Sequence, residues 1–139
     1  TVGGMARAMA RFAVAREGHG ARETAMHRLT RAMASHPELV AGEGRACTEL
    51  MHAMGGRVAI KTGAEAYYVG IVPEKGMGIA LKVLDGGSRA SEAAMATLLV
   101  RIGALDPKHP AAIKRMAPVM RNWRRIETGF LRLAPGFPG

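Results

Sequence analysis

Lys61, Thr62 and Gly63 follow one another and bring together an ammonium group, a hydroxyl and a residue without a side chain. Lys61 ends the first of three short stretches with the alternating apolar pattern that is typical of β-strands, and Thr62 and Gly63 begin the turn that follows. A lysine beside a low-dielectric sheet can lose its proton more readily and act as a proton shuttle, or it can hold a substrate carboxylate by charge. Gly63 leaves space for a substrate along the strand edge. The alternative is a lysine on an exposed sheet face beside an ordinary turn.

A lysine that shuttles a proton in hydrolysis needs a nucleophile, and the sequence offers none in a suitable place. The serines are Ser35, Ser88 and Ser91, and none of them has a lysine three residues further on. We therefore expect the nucleophile that would partner Lys61 to lie elsewhere. The single cysteine, Cys47, excludes an internal disulfide. A lone thiol can be a nucleophile, but a small buried apolar side chain is the commoner role.

Metal and nucleotide sites are not indicated. The histidines at 19, 27, 36, 52 and 109 show no metal-binding spacing, and neither H-E-x-x-H nor C-x-x-C occurs. Gly76 and Gly78 lack the rest of a dinucleotide-binding fingerprint and follow a turn rather than a buried strand. We therefore expect no metal or nucleotide site built by this chain alone.

The formal charge of +9 raises the alternative of a basic helical module that binds nucleic acid. Most arginines are scattered over the polar faces of predicted helices, and only "RNWRR" at 121–125 is dense. Aromatic residues make up 4% of the chain, too few for extensive base stacking, so nucleic acid is not the favoured partner. No apolar run is long enough to cross a bilayer and no cleavable signal is present, so we expect a cytoplasmic location and no membrane contact.

The elements that must position Lys61 follow from a change of apolar period. Helical spacing predicts helices over 4–16, about 21–35, about 45–54 and from Asp85 or Ser88 to Gly103, with a loop over 35–44. Alternation predicts strands over 57–61, 67–72 and 78–84, joined by short turns into an antiparallel meander. Val58 and Ile60 should face one side of the sheet, and Ala59 and Lys61 the other.

The rest of the chain adds weaker signals. A loop that can contain a short helix is predicted over 106–120, and one more strand over 123–134. Two helical stripes should be buried: Met26, Leu29, Met33; and Cys47, Leu50, Met51, Met54. With 48% apolar residues the chain is globular, and the predicted class is α+β, an antiparallel sheet flanked by helices.

The order of motifs over 36–90, "HPELVAGEGRACTELMHAMGGRVAIKTGAEAYYVGIVPEKGMGIALKVLDGGSRA", resembles the C-terminal half of the bacterial L-asparaginase II family of the Rhizobium type. That family shows a His-Pro, then "AG..R.DT.LM", a Gly-Gly pair, "K.GAEG", and a glycine-rich "GIALK..DG..RA" that opens a long helix. The resemblance extends from residue 5 to about 130. Two positions depart from the pattern: Cys47 stands in place of an acid, and Ala66 in place of a glycine.

The resemblance implies hydrolysis of L-asparagine to L-aspartate and ammonia, or a β-lactamase-like hydrolysis of another amide. Family members look like serine β-lactamases and penicillin-binding proteins, which carry a Lys-Thr-Gly box on a strand at the edge of the active site. Lys61 would then be the base partner of a serine, and Thr62, Gly63 and Glu65 would bind substrate. Arg45 would bind the substrate carboxylate bidentately; its alternative role is a structural ion pair.

The same resemblance implies that 1–139 is a single segment, the C-terminal part of a larger hydrolase domain. The Ser-x-x-Lys pair expected of such a fold would lie in an N-terminal half that this chain lacks, and that half would be its partner. Zinc is linked to some family members, but the matching ligand positions fall outside this chain, so no cofactor is expected on it. A homodimer is compatible with the resemblance.

Overall fold

The chain changes from helices to a sheet near Arg57, where the apolar period changes. The computed structural model describes residues 1–135. Its helices are α1 Val2–Val14, α2 Ala21–Ser35, α3 Pro37–Ala41, α4 Ala46–Ala53, α5 Ser88–Arg101 and α6 Pro110–Met116. Its strands are β1 Ala59–Thr62, β2 Tyr67–Val72, β3 Met77–Lys82, β4 Val119–Arg121 and β5 Glu127–Phe130. The predicted α+β class is confirmed.

The strands β1, β2 and β3 form the predicted antiparallel meander in that order. Lys61 pairs with Val69, and Thr62 pairs with Tyr68. The turn between β2 and β3 is tight because Gly76 adopts a left-handed conformation (φ 57°) that most residues avoid. β1 therefore lies at one edge of this sheet, and its last residues end at a turn.

Helices cover both faces of the sheet. Ile60, Tyr68 and Ile79 point into the main core, which they share with side chains of α4 and α5 and with Ala112 of α6. Ala59 and Ile71 point the other way, into a smaller core with Ala13 of α1 and Ala34 of α2. The alternation predicted for β1 is thus confirmed, and Lys61 lies on the face of Ala59.

Gly78 explains how closely α1 approaches the sheet. A Cβ built on this residue would overlap the backbone of α1, at the carbonyl oxygen of Ala6 and the amide nitrogen of Ala10. Gly76 is therefore needed for the turn, and Gly78 for the close contact between α1 and β3. Neither role is visible in the spacing of the two glycines.

Three predictions about local structure are corrected. The segment predicted as a loop contains α3, which begins at Pro37 because proline fits the first helical position. Leu29 was expected in a buried stripe but is 57% exposed, while Met33 packs against the smaller core. The last strand is shorter than the predicted 123–134, and it pairs with β4, a strand that the sequence did not predict. The short helix predicted within 106–120 is α6.

Candidate active site at the end of the first strand

Lys61 lies on the edge strand β1 and is half-buried. Its ammonium donates a hydrogen bond to the carbonyl oxygen of Thr62, 2.7 Å away. Because Thr62 is the last residue of β1, the charge is held at the end of the strand, where the chain turns into an exposed segment. The lysine is therefore neither deep in the core nor free on an open sheet face.

Thr62 and Gly63 continue the sheet contact beyond the lysine. The Gly63 amide donates to the carbonyl oxygen of Tyr67 at 2.7 Å, and the hydroxyl of Thr62 lies 3.5 Å from the same oxygen. Gly63 is exposed, and an added Cβ would meet only Tyr67, no closer than 3.6 Å. The fold itself does not require glycine at this position, so the open space beside it is available to a ligand.

Two residues with side chains adopt left-handed backbone conformations in the turn that follows. Glu65 has φ 51° and ψ 46°, and Ala66 has φ 56°. Each such residue costs about 1–2 kcal/mol relative to an ordinary conformation. The Glu65 side chain is 84% exposed, with a carboxylate oxygen 3.6 Å from the ammonium of Lys82. Lys82 also donates to the Glu65 carbonyl oxygen and so braces the turn.

Arg45 precedes α4 as its N-terminal capping residue and is exposed. Its guanidinium forms no hydrogen bond or ion pair with any residue in the described range 1–135. The alternative role of a structural ion pair is therefore not seen within that range. Cys47, two residues further on, contacts Thr62, so the start of α4 lies beside the end of β1.

Cys47 and Tyr68 are a buried polar pair beneath this strand end. The thiol sulfur lies 2.9 Å from the Tyr68 hydroxyl and accepts a hydrogen bond from the Thr62 amide at 3.3 Å. Burial, and then the neighbouring thiol, raise the pKa of Tyr68 far above its usual value. Both side chains are buried, and within the core the thiol of Cys47 faces the hydroxyl of Tyr68.

An ion-pair network that the sequence analysis missed joins α4, α5 and α6. Arg115, with its side chain 14% exposed, donates to Glu49 at 2.6 Å and to Glu92 at 2.8 Å. Burial opposes ionisation of Glu49, but hydrogen bonds from Lys114 and Arg115 outweigh it and lower the pKa. Burial likewise disfavours the charge on Arg115, but its hydrogen bonds and charge interactions with Glu49 and Glu92 together outweigh burial and raise the pKa. Only the folded chain brings these distant residues together.

The described residues do not fit a zinc site. Glu38 lies between two histidines, with His36 at 3.6 Å and His52 at 4.0 Å. Within 1–135 no group of three or more His, Cys, Asp or Glu side chains could hold a metal ion.

Two cavities lie away from the strand end, beside α1 and α2. One of about 430 Å³ lies between α1 and α2, and one of about 420 Å³ extends from these helices to Pro73 and Gly76. None of the five predicted site residues lines either cavity. The candidate site is thus an open edge of the sheet rather than a closed pocket within the part of the chain that is described.

The dense basic stretch forms the connection between β4 and β5. Trp123 is fully exposed there, and Arg125 adopts a left-handed conformation with φ 61°. Arg121 pairs with Glu127 across the hairpin at 2.5 Å, which offsets part of the charge. This hairpin is where the nucleic-acid alternative would have to act, and it is a different surface from the end of β1.

Comparison with known proteins identifies the family. The model of the family described as L-asparaginase II matches residues 1–133, nearly the whole chain. A search of curated proteins finds no match. No helix among the described residues is both long and apolar enough to span a membrane. The family match supports an amidohydrolase that acts on asparagine. The chain belongs to the L-asparaginase II family.

Proposed function

We propose that this chain provides the lysine side of an active site that hydrolyses L-asparagine to L-aspartate and ammonia. One observation carries the proposal: in a chain of the L-asparaginase II family, the ammonium of Lys61 is held by the Thr62 carbonyl oxygen at the exposed end of an edge strand. A charge held in one place can reach a substrate that lies along the strand edge beside Gly63. A freely rotating surface lysine would lack that preorganisation.

The proposed mechanism uses a serine and Lys61. Lys61 acts in this step as a neutral amine, which can still donate to the Thr62 carbonyl oxygen. Its lone pair accepts the proton of the serine hydroxyl as the serine oxygen attacks the side-chain amide carbon of asparagine. The protonated lysine then gives that proton to the leaving nitrogen, ammonia departs and an acyl-enzyme remains. Water, deprotonated by the lysine, attacks the ester carbon; the lysine then gives that proton to the departing serine oxygen, which releases aspartate and the free serine. None of the three serines of this chain forms a hydrogen bond with Lys61 in the described range.

Charged groups near the strand end suit the two ends of an amino acid substrate. The guanidinium of Arg45, at the start of α4, would bind the α-carboxylate bidentately. The exposed carboxylate of Glu65, two residues after Gly63, would bind the α-ammonium group of the substrate. Thr62 and Gly63 would line the edge between them.

Several finer expectations remain proposals. They are the serine β-lactamase-like fold of the whole enzyme, an N-terminal half that carries Ser-x-x-Lys, zinc bound outside this chain, a homodimer and a cytoplasmic location. Hydrolysis of an amide other than asparagine is the rival within the same class. Steady-state rates with asparagine, glutamine and a β-lactam, compared as kcat/KM, would separate these substrates.

The test of Lys61 is Lys61→Met in the full-length enzyme. Methionine keeps the length and apolar stem of lysine but cannot move a proton. We expect kcat on asparagine to fall by about 100- to 10,000-fold, with the circular dichroism spectrum unchanged. Lys75→Met is the matched control, because Lys75 is exposed in the turn before β3. A folded Lys61→Met enzyme with wild-type kcat would remove Lys61 from the mechanism.

The nucleic-acid alternative makes a different prediction. Binding to phosphates by arginines weakens steeply with salt, whereas saturable asparagine hydrolysis does not depend on contact with phosphate. Tight, salt-sensitive binding of an RNA or DNA oligonucleotide that is abolished by Trp123→Ala and Arg124→Ala, in a protein without amidase activity, would favour the alternative.

A further inference from the structure

The outer edge of β1 is closed by two sulfur atoms from one face of α4. The amide of Ile60 donates to the sulfur of Met51 at 3.4 Å, and the amide of Thr62 donates to the sulfur of Cys47 at 3.3 Å. In an antiparallel pair, alternate residues of an edge strand turn their backbone groups away from the partner strand. Cys47 and Met51 are four residues apart, so the two sulfurs lie on the same side of the helix and follow the strand.

Thr62 connects this contact to the lysine. Its amide is held by Cys47, and its carbonyl oxygen accepts the hydrogen bond from the Lys61 ammonium. Rotation of Thr62 away from α4 would therefore move the oxygen that holds the ammonium. The position of the ammonium therefore depends on the backbone of Thr62, and that backbone is held by Cys47 of α4, which is not part of the sheet.

Tyr68 contacts the same sulfur. Its hydroxyl lies 2.9 Å from the Cys47 sulfur, and both side chains are buried. Tyr68 is also the cross-strand partner of Thr62. The thiol thus lies between a hydroxyl from β2 and an amide from β1, and either lost contact leaves a buried polar group without that partner.

We propose that Cys47 is a positioning residue for the Lys61-Thr62-Gly63 segment, and that its sulfur sets where the Lys61 ammonium lies. The catalytic part of this inference rests on the proposed asparagine hydrolysis; the structural part does not. Cys47 itself touches no substrate in this scheme. Its role is to anchor Thr62 to α4 so that the strand edge becomes free only from Gly63 onward.

The experiment compares Cys47→Ala with Tyr68→Phe. The first variant removes the acceptor of the Thr62 amide, whereas the second removes only the hydroxyl and leaves that acceptor in place. Hydrogen exchange by NMR should show the Thr62 amide exchanging at least tenfold faster in Cys47→Ala and within about threefold of wild type in Tyr68→Phe. The amide of Leu99, in the buried face of α5, reports any general loss of stability.

A second measurement follows the lysine directly. Competitive acetylation with acetic anhydride, read by mass spectrometry, gives the reactivity of Lys61 relative to the exposed Lys75 in the same molecule. We expect this ratio to change at least threefold in Cys47→Ala and to stay at the wild-type value in Tyr68→Phe. Cys47→Ser, which retains a polar acceptor, should restore most of the wild-type ratio.

The third measurement is steady-state hydrolysis of asparagine by the full-length enzyme. Misplacement of the lysine should lower kcat at least tenfold in Cys47→Ala, with KM within about threefold. If wild-type enzyme does not hydrolyse asparagine but the first two results hold, the proposed function fails and the positioning role stands. If exchange at Thr62 and acetylation of Lys61 are unchanged in Cys47→Ala, the inference is overturned even in an active enzyme.

If the Cys47→Ala protein does not fold, a measurement on the wild-type protein still tests the proposal. An edge amide held by a sulfur should be protected from exchange at least tenfold relative to an unstructured peptide. A Thr62 amide that exchanges at the unprotected rate in the wild type would overturn the proposal. A Cys47→Ser protein with intermediate protection at Thr62 would support it.

Discussion

At the scale of single residues, Ala66 shows how the turn beside the candidate site is strained. Its left-handed conformation suits glycine, which has no Cβ to approach the neighbouring carbonyl. The family pattern that the sequence resembles has glycine at this position. The structure thus gives a physical reason for the pattern: a glycine there would avoid the steric cost that Ala66 bears. Lys82, bound to the Glu65 carbonyl oxygen, helps to hold the turn in place.

Ala66→Gly should therefore stabilise the protein. Relief of the left-handed conformation is worth about 1–2 kcal/mol, and the greater freedom of glycine in the unfolded chain subtracts about 0.5–1 kcal/mol. We expect the free energy of unfolding to rise by about 0.5–1 kcal/mol in urea melts followed by circular dichroism. Ala64→Gly is the matched control, since Ala64 has no positive φ, and it should lose stability. Equal losses in both variants would show that Ala66 is not strained.

At the scale of elements, α1 is fitted to β3 through Gly78 and α6 is fixed to α4 and α5 through Arg115. The first contact depends on the absence of a side chain, and the second on a charge shared between two carboxylates. Together they hold one helix on each face of the sheet. Neither contact involves Lys61, although Arg115 also donates to the carbonyl oxygen of Gly44, the residue before Arg45.

Gly78→Ala should separate α1 from the sheet. The new methyl group would overlap backbone atoms of α1, which cannot rotate away as a flexible side chain would. Overpacking costs about 1–3 kcal/mol in well-packed cores, and a backbone clash places this change at or above the upper end. Gly70→Ala, on the adjacent strand, meets only side chains no closer than 3.4 Å and should cost less. Comparable losses in thermal melts of both variants would contradict the close fit of α1.

Glu49→Gln should remove a stabilising contribution that depends on pH. The folded state lowers the pKa of Glu49 below its usual 4.5, so the contribution is complete above pH 4.5. It disappears as the pH falls from 4.5 through the lower folded-state value, because the unfolded chain takes up the proton first. We expect a loss of about 1–2 kcal/mol at pH 7. Urea melts at pH 7, 5, 4 and 3 should show the two proteins converging in the acid.

A control for this effect is Glu74→Gln. Glu74 pairs with Arg57 at 3.2 Å, but both side chains are about half exposed to solvent. An exposed pair of this kind contributes about 0–1 kcal/mol. If Glu49→Gln and Glu74→Gln behave alike at every pH, the bridge through Arg115 is not what stabilises α6.

The helices and strands were largely predictable because their apolar periods are regular. Cys47, Leu50, Met51 and Met54 repeat at helical spacing, and all four are buried. Two kinds of feature were not predictable. Short elements such as α3 give no period, and contacts between distant residues, such as Cys47 with Tyr68 or Arg115 with Glu49, depend on how elements pack. Lys61 was identified from its neighbours in the sequence. The sulfur atom that accepts the hydrogen bond of the Thr62 amide belongs to α4, a separate element, and was not predicted.

At the scale of the whole molecule, the sheet separates two cores, and the candidate site lies at an edge between them. The main core lies on the side of α4 and α5, and the smaller one on the side of α1 and α2. Lys61 belongs to the face of the smaller core, while the residues that anchor Thr62 belong to the main one. The site therefore depends on both halves of the packing.

We expect the 139-residue chain by itself to show no saturable hydrolysis of asparagine. The proposed mechanism needs a serine beside Lys61, and the three serines of this chain make no such contact in the described residues. A longer protein that adds a Ser-x-x-Lys segment should release ammonia with saturation kinetics. A coupled ammonia assay on both proteins makes the comparison, and turnover by the short chain would refute the expectation.

The exposure of Trp123 determines which optical signal can follow this protein. It is the only tryptophan, and water already surrounds its indole ring in the folded state. Its emission maximum should therefore barely move when urea unfolds the cores. Unfolding would then be detected by circular dichroism but not by tryptophan fluorescence. For the same reason the emission should shift to shorter wavelength when anything covers the β4–β5 hairpin. The fluorescence of Trp123 should therefore report binding at the β4–β5 hairpin rather than folding.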